Sequence, residues 1–146
     1  MRLSPLVTST LLSLLFLSCV SLKEGRVSFK YYENFEKKKI TLNIPPGGKL
    51  IRILAGGEGE EHRYWFSDSS VIYISSLSGS ATLNDSLIRR SGHYDTFFLS
   101  DTGSFAGVDD KGNFWEEVKR NKLVYGYSNV PSSKKSTFEK ALISVK

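Results

Sequence analysis

The side chains best suited to metal chemistry begin in a glycine-rich segment. Residues Gly56 to His62 bring together three glutamates and an imidazole. Such groups ligate metal ions, but a zinc or calcium site needs a more complete and better positioned set than one flexible loop supplies. We therefore interpret this segment as a mobile hairpin loop that its charge keeps soluble, and we predict no metal ligand in it.

A second candidate, for acid–base chemistry, is His93, with Asp95 two positions later and Asp101 further on. Residues two apart share one face of a β-strand, so His93 and Asp95 meet if this segment is extended. The alternative is an exposed polar histidine that follows the helix-ending Gly92. No activated nucleophile accompanies the pair, because the sequence has no Gly-x-Ser-x-Gly elbow.

Four glutamates form two adjacent pairs, Glu60 with Glu61 and Glu116 with Glu117. Paired carboxylates carry out glycoside hydrolysis, although a sequence does not place any two at a working distance. The stretch from Asp109 to Asn113 has the residue types of a calcium loop but not the spacing of an EF-hand. We interpret it as a hairpin turn, because Asp and Gly favour such turns.

Aromatic residues give the best lead toward a binding function. Neighbours in a strand point to opposite faces, so both faces of the predicted sheet carry aromatic side chains. A face without a cover would form a recognition surface. The alternative is that a short helix and the N-terminal segment 28–35 cover it. The residues predicted for this surface are Trp65, Phe97, Trp115 and Tyr125.

A sheet of about seven strands is predicted to position these groups, because apolar and polar residues alternate between clusters of Pro, Gly and Asp. The segments 62–66 and 71–75 should pair as a hairpin, since their link is too short for a crossover. The last three strands should form an antiparallel meander. The extended segments are Ile40–Ile44, Lys49–Leu54, His62–Phe66, Val71–Ser75, Tyr94–Leu99, Ser104–Val108, Phe114–Arg120 and Leu123–Tyr127.

Two segments have helical signatures. Between Leu83 and Gly92, Asn84 is placed to cap the free amides and Gly92 to take a left-handed exit. The segment from Ser136 to Val145 opens with a capping box and has an apolar face formed by Phe138, Leu142 and Val145. The predicted fold class is therefore α+β: an antiparallel β-sheet with a short central helix and a C-terminal helix packed on the sheet.

The N-terminal region ends at Cys19, the only cysteine in the chain. A positive charge at Arg2, an apolar run over residues 11–18 and a polar stretch from residue 23 follow the order of an export signal. The segment Phe16-Leu17-Ser18-Cys19 resembles the lipobox of bacterial lipoproteins, although Phe16 and Leu17 depart from its commonest pattern. The resemblance covers residues 1–19 only.

The resemblance implies that residues 1–18 are removed as a signal peptide and that acyl chains on Cys19 hold the protein on a bacterial membrane. Residues 19–27 would form a lipidated tether and residues 28–146 a single globular domain. Two alternatives stay open: a secretory signal that is cut elsewhere, and an apolar run that remains as a membrane anchor. Serine and threonine residues within the run disfavour the anchor.

Composition limits the possible partners. Loss of residues 1–18, which include Arg2, lowers the net charge from +5 to +4. The basic residues are scattered in short groups such as 37–39, which favours solvated surfaces over contacts with anionic head groups or cell-wall polymers. Nucleic acid is not expected as a partner of an exported chain without a recognisable binding motif.

The sequence therefore predicts a non-catalytic, lipid-anchored protein of the bacterial cell envelope, with no cofactor. Its role would be structural, or it would bind an envelope protein or a glycan. Two alternatives from other classes remain: a small enzyme acting on cell-wall or surface glycans, and a small-molecule carrier with an apolar pocket in the sheet.

Overall fold

The computed structural model describes residues 25–55, 59–77 and 82–146. Cys19 and the predicted signal peptide lie outside the described residues, as does part of the loop that precedes His62. The first strand begins at Gly25, so residues 25–27 of the predicted tether belong to the folded domain.

Within the described ranges, eight strands form two antiparallel sheets, and three short α-helices complete an α+β fold. This confirms the predicted fold class. The strands are β1 (Gly25–Glu33), β2 (Glu36–Ile44), β3 (Lys49–Leu54), β4 (Glu60–Trp65), β5 (Val71–Ser75), β6 (Thr102–Val108), β7 (Phe114–Arg120) and β8 (Leu123–Val130). The helices are α1 (Asp85–Arg90), α2 (Tyr94–Leu99) and α3 (Lys135–Ile143).

The larger sheet has the strand order β3-β4-β5-β8-β7-β6. The β4–β5 hairpin and the β6–β7–β8 meander are confirmed. Every residue of β5 is buried, as expected for a short apolar strand in the middle of a covered sheet. Strands β3 and β6 form the two edges.

The smaller sheet is the β1–β2 hairpin, whose strands pair along their whole length. Its base is joined to the C-terminal end of the domain by two backbone hydrogen bonds between Thr41 and Lys146, of 2.9 and 3.1 Å. The hydroxyl of Ser144 also accepts a hydrogen bond from the amide of Asn43 at 2.8 Å. These bonds fix the hairpin against the segment that follows α3.

Helix α3 packs on the sheet as predicted, with Phe138 and Leu142 buried. Val145, predicted to be part of its apolar face, lies two residues beyond the end of the helix and is also buried. The predicted capping box does not form. A 3-10 turn over Ser132–Lys134 leads directly into the helix, so the predicted cap residue lies in the first helical turn. An ion pair of 3.1 Å between Lys135 and Glu139 spans this turn instead.

The segment Tyr94–Leu99 was predicted as a strand, and this prediction is wrong, because it forms helix α2. The aromatic residues suggested a strand, but Tyr94, Phe97 and Phe98 are spaced three and four apart. That spacing places them on neighbouring positions of one helical surface. The rings of Tyr94 and Phe98 are in contact, with centroids 4.4 Å apart.

The register divides the core between the two faces of the sheet. One face, here called the α3 face, packs on α3 and the base of the hairpin, and its core includes Tyr64, Ile72, Tyr125 and Phe138. The opposite face, the α1 face, lies beneath α1 and α2, and its cluster contains Ile88, Phe97 and Trp115.

Candidate functional site

A row of paired residues crosses the α1 face at the centre of the sheet. Tyr73 of β5 lies opposite Gly126 of β8, and Gly126 lies opposite Glu117 of β7. A Cβ on Gly126 would lie 2.2 Å from the carbonyl oxygen of Glu116 and 2.8 Å from the Tyr73 hydroxyl. The missing side chain therefore lets Tyr73 extend across β8 and reach Glu117.

Hydrogen bonds join this row to the start of helix α1. The Tyr73 hydroxyl donates to Oε2 of Glu117, and Nδ2 of Asn84 donates to the Tyr73 hydroxyl at 3.2 Å. The same amide lies 3.1 Å from the carbonyl oxygen of Tyr127 and 3.3 Å from that of Glu116. Asn84 precedes α1, where it was predicted to cap the helix, but its side chain makes no capping bond and points to the sheet.

We call Tyr73, Thr82, Asn84 and Glu117 the Glu117 cluster. Burial controls the protonation of its carboxyl group. Burial raises the pKa of Glu117 from 4.5 to about 7, and the hydroxyls of Tyr73 and Thr82 offset only part of that effect. The negative charges of Asp85 and Glu61 raise the pKa further. Burial and the nearby Glu117 raise the pKa of Tyr73 well above its ordinary value.

The Glu117 cluster retains unused hydrogen-bonding capacity. Among the described residues, Oε1 of Glu117, Oδ1 of Asn84 and Oγ1 of Thr82 are buried without a partner, although Thr82 lies close enough to influence the carboxyl. Glu117 and Asn84 are both 0% exposed. The cluster can thus bind and release one proton near neutral pH, but a polymeric substrate cannot reach it in this conformation.

The two glutamates that enter β4 are paired with neighbours two positions away. Glu60 bonds Nε2 of His62 toward the α3 face, whereas Glu61 forms an ion pair with Arg63 on the α1 face. The ring of His62 also packs edge-on against Phe29, with centroids 4.9 Å apart. Residues 56–58 of the predicted loop lie outside the described residues.

The structure does not bring His93 and Asp95 together as a strand would. His93 occupies the position before α2, and Asp95 lies in the first turn of that helix. Both side chains are exposed, as is Asp101. The His93 ring lies near Phe105, with centroids 5.9 Å apart.

The segment 109–113 forms the predicted hairpin turn between β6 and β7. Oδ1 of Asp109 accepts hydrogen bonds from the backbone amides of Lys111 at 2.8 Å and Asn113 at 2.9 Å. Gly112 adopts a φ of +80°. Burial raises the pKa of Asp109, but these backbone bonds, the side chain of Asn113 and the charge of Lys111 together lower it below its ordinary value. The carboxylate thus organises the turn.

The paired glutamates are not arranged as an acid and base about one substrate. Adjacent residues in a strand point to opposite faces, so Glu60 and Glu61 diverge, as do Glu116 and Glu117. The two that share the α1 face, Glu61 and Glu117, are both buried. Their strands are three steps apart in the sheet, about 14 Å between backbones.

The four predicted surface aromatics do not form one surface, and this expectation is corrected. Phe97 and Trp115 are buried together on the α1 face, whereas Tyr125 is buried on the α3 face. Trp65 alone among them is partly exposed, at the end of β4. Helices α1 and α2 cover the α1 face. The alternative interpretation was right about the short helix but wrong about segment 28–35, which lies in the β1–β2 hairpin and packs Phe29 into the core of the α3 face.

Comparison with known proteins adds no relative. The chain matches no protein-family model, no curated protein and no solved structure.

In the described part of the chain, no three His, Cys, Asp or Glu side chains are grouped to hold a metal ion. No helix in the described ranges is long and apolar enough to cross a bilayer.

The residue types in β5, β7 and β8 gave a signal for the Glu117 cluster that the sequence analysis missed. Glu117 alternates with Trp115 in β7, so a carboxylate shares a face with a large apolar side chain. Tyr73 and Ser75 are the polar members of the central strand β5, and Gly126 interrupts the strand beside it. Only the register shows that these residues are neighbours.

Proposed function

We propose that this protein is a non-catalytic, lipid-anchored protein of the bacterial cell envelope that binds an extended segment of a partner protein along strand β3. The lipobox resemblance at Cys19 supports the anchor and its location. The observation that carries the binding role is the exposed apolar edge of the larger sheet.

Strand β3 is an edge strand with little cover on either face. Ile51 is 50% exposed toward the α1 face, and Leu54 is 71% exposed toward the α3 face. Edge strands leave a row of backbone N–H and C=O groups unpaired, and proteins usually protect such edges. An added strand would satisfy those groups and bury the apolar side chains, which is a common mode of peptide recognition.

Charge favours a partner other than a second copy of this chain. Strand β3 carries Lys49 and Arg52 and no acidic residue. Pairing of two β3 strands would bring four cations into one short ladder, and like charges in a ladder destabilise it. An extended segment with acidic residues complements the strand better.

The glycan-enzyme alternative has less support from the geometry. The carboxylates that would serve as acid and base are buried or engaged in pairs, notably Glu117 and Glu61. A glycosidase needs two carboxylates that flank an accessible bond.

The binding role is tested by photo-crosslinking in intact cells. A photoreactive residue is placed at Leu50, Arg52 or Leu54, which share one face of β3, and at exposed Ile143 of α3 as a control. Strand addition predicts adducts in which the partner's crosslinked position moves by two residues as the probe moves by two. Adducts with a second copy, or adducts that do not differ from those at Ile143, would contradict the proposal.

The anchor is tested separately on Cys19. The intact mass of the envelope-extracted protein should match cleavage before Cys19 plus the acyl groups, and Cys19→Ser should remove both changes. If the Ser variant keeps the wild-type mass and membrane fractionation, the anchor is refuted.

A further inference from the structure

The β1–β2 hairpin has one face whose charged side chains are all basic and exposed. Alternate residues of β1 and their partners in β2 share this face. All of its charged members are exposed, as is its aromatic member. These residues, here called the cationic face, are Arg26, Lys30, Tyr32, Lys37 and Lys39.

The hairpin's carboxylates lie on the opposite face. Glu33 and Glu36 are register partners there, and Lys38 lies 3.3 Å from Glu33 and 3.9 Å from Glu36. That face also carries Phe29, which is buried against the domain. Among the described residues, acidic side chains therefore pair with the lysine on the inner face and with none of the basic residues on the cationic face.

The tip of the hairpin presents an aromatic side chain in an unfavourable conformation. A two-residue turn joins the strands, with φ of +51° at Asn34 and +66° at Phe35. Glycine is the residue such a turn favours at its second position, and a bulky residue there is a genuine outlier. Phe35 is fully exposed, so it gains no packing in return. Local strain without internal compensation points to an external contact.

We infer that the cationic face and the Phe35 tip dock on an anionic lipid bilayer. Lysines near an anionic membrane surface are attracted by its negative potential, and exposed aromatic side chains such as Tyr32 and Phe35 favour the interface between head groups and acyl chains. The inference rests on the proposed anchor for its location. Cys19 precedes Gly25 by six residues, a span of about 20 Å at most. Anchoring would thus hold the base of the hairpin near the same membrane.

Docking would orient the domain as well as strengthen its attachment. The hairpin is about 30 Å long, since each strand has nine residues. A ribbon of that length lying on the bilayer fixes which side of the domain faces the membrane.

The test uses the complete mature protein, reconstituted with vesicles of pure phosphatidylcholine or of phosphatidylcholine mixed with phosphatidylglycerol. A membrane-impermeant amine reagent then modifies accessible lysines, and mass spectrometry measures each site. Lys30, Lys37 and Lys39 should react about fivefold more slowly on the anionic vesicles. Lys140, exposed on α3, should react equally on both.

Phe35→Gly separates docking from folding. Glycine suits the left-handed turn, so the variant should melt at the same or a higher temperature, yet lose most of the lysine protection. Leu99→Ser removes an exposed apolar side chain from α2 and should leave the protection unchanged. Equal lysine reactivity on both vesicle types overturns the inference, and so does full protection in Phe35→Gly.

Flotation distinguishes a failure of docking from a failure of the anchor. Acylated protein floats with neutral vesicles whether or not the hairpin docks. If the protein does not float with them, the anchor proposal fails, and lysine protection is measured in excess anionic vesicles at low salt, where its absence still refutes docking. If the protein floats but shows no protection, only the docking inference fails.

Discussion

The buried carboxyl of Glu117 should make the stability of the protein depend on pH in a predictable direction. Its pKa is about 7 in the folded protein and 4.5 when unperturbed, because burial disfavours the ionised form. Between these values the folded state binds more protons than the unfolded state. The free energy of unfolding therefore falls as pH rises through this window, and the stabilisation is fully present only below about pH 4.5.

The interval between the two pKa values corresponds to about 3 kcal/mol at 1.36 kcal/mol per pH unit. Glu117→Gln keeps the shape of the side chain and an acceptor for Tyr73 but removes the titrating proton. Relative to wild type, the variant should gain about 2.5 kcal/mol of stability between about pH 5 and about pH 8.

Urea unfolding at several pH values measures this difference in stability. Tryptophan fluorescence reports the unfolding, because Trp115 is buried with Ile88 and Phe97 on the α1 face. Subtracting the wild-type curve from the variant curve cancels the titration of every other group. Glu36→Gln removes an exposed carboxylate from the hairpin and should give a flat difference. A flat difference for Glu117→Gln as well would refute the argument that burial controls this carboxyl.

Three further substitutions test the contacts of the cluster. Tyr73→Phe removes the donor to Glu117 and should cost about 1–2 kcal/mol in urea unfolding, while an NMR titration should show a still higher pKa for the carboxyl. Asn84→Ala leaves two strand carbonyls without their side-chain donor and should cost about 2 kcal/mol by the same method. Gly126→Ala should be the most damaging, at about 3 kcal/mol or more in thermal unfolding, because its Cβ meets a backbone oxygen. Gly112→Ala serves as the control outside the cluster. It has open space around its Cβ and should cost only about 1 kcal/mol.

Local patterns in the sequence were sufficient to predict the pairing of strands that are close together along the chain. The β4–β5 link and the 109–113 turn are too short for any connection except a hairpin, so chain length alone determines those pairings. Helix α3 was predictable because its apolar residues recur at helical spacing. The prediction for segment 94–99 failed because aromatic residues favour strands on average, whereas the aromatic residues of this segment are also spaced for one helical surface and pack Phe97 against Ile88 and Trp115.

The Glu117 cluster could not be predicted from the sequence, for a different reason. Its members come from three separate segments, which are β5, the residues before α1, and β7. Their proximity depends on the order β5-β8-β7 and on the register across Gly126. Asn84 has the residue type and position of a helix cap, and only the packing of α1 on the sheet turns its amide toward Tyr73. The hairpin's separation of charge by face likewise follows from the pairing of Lys30 with Lys39.

The bond between the hairpin and the segment after α3 has a consequence for the order of folding. Strands β1 and β2 are adjacent in sequence and can pair early, but the Asn43–Ser144 contact spans 101 positions. Phe29 packs against His62 of β4, but the bonds that fix the base of the hairpin form only when the segment after α3 is in place. Contacts of such long range slow the final step of folding. The docked position of the hairpin thus depends on the far end of the chain, although its own two strands are neighbours in sequence.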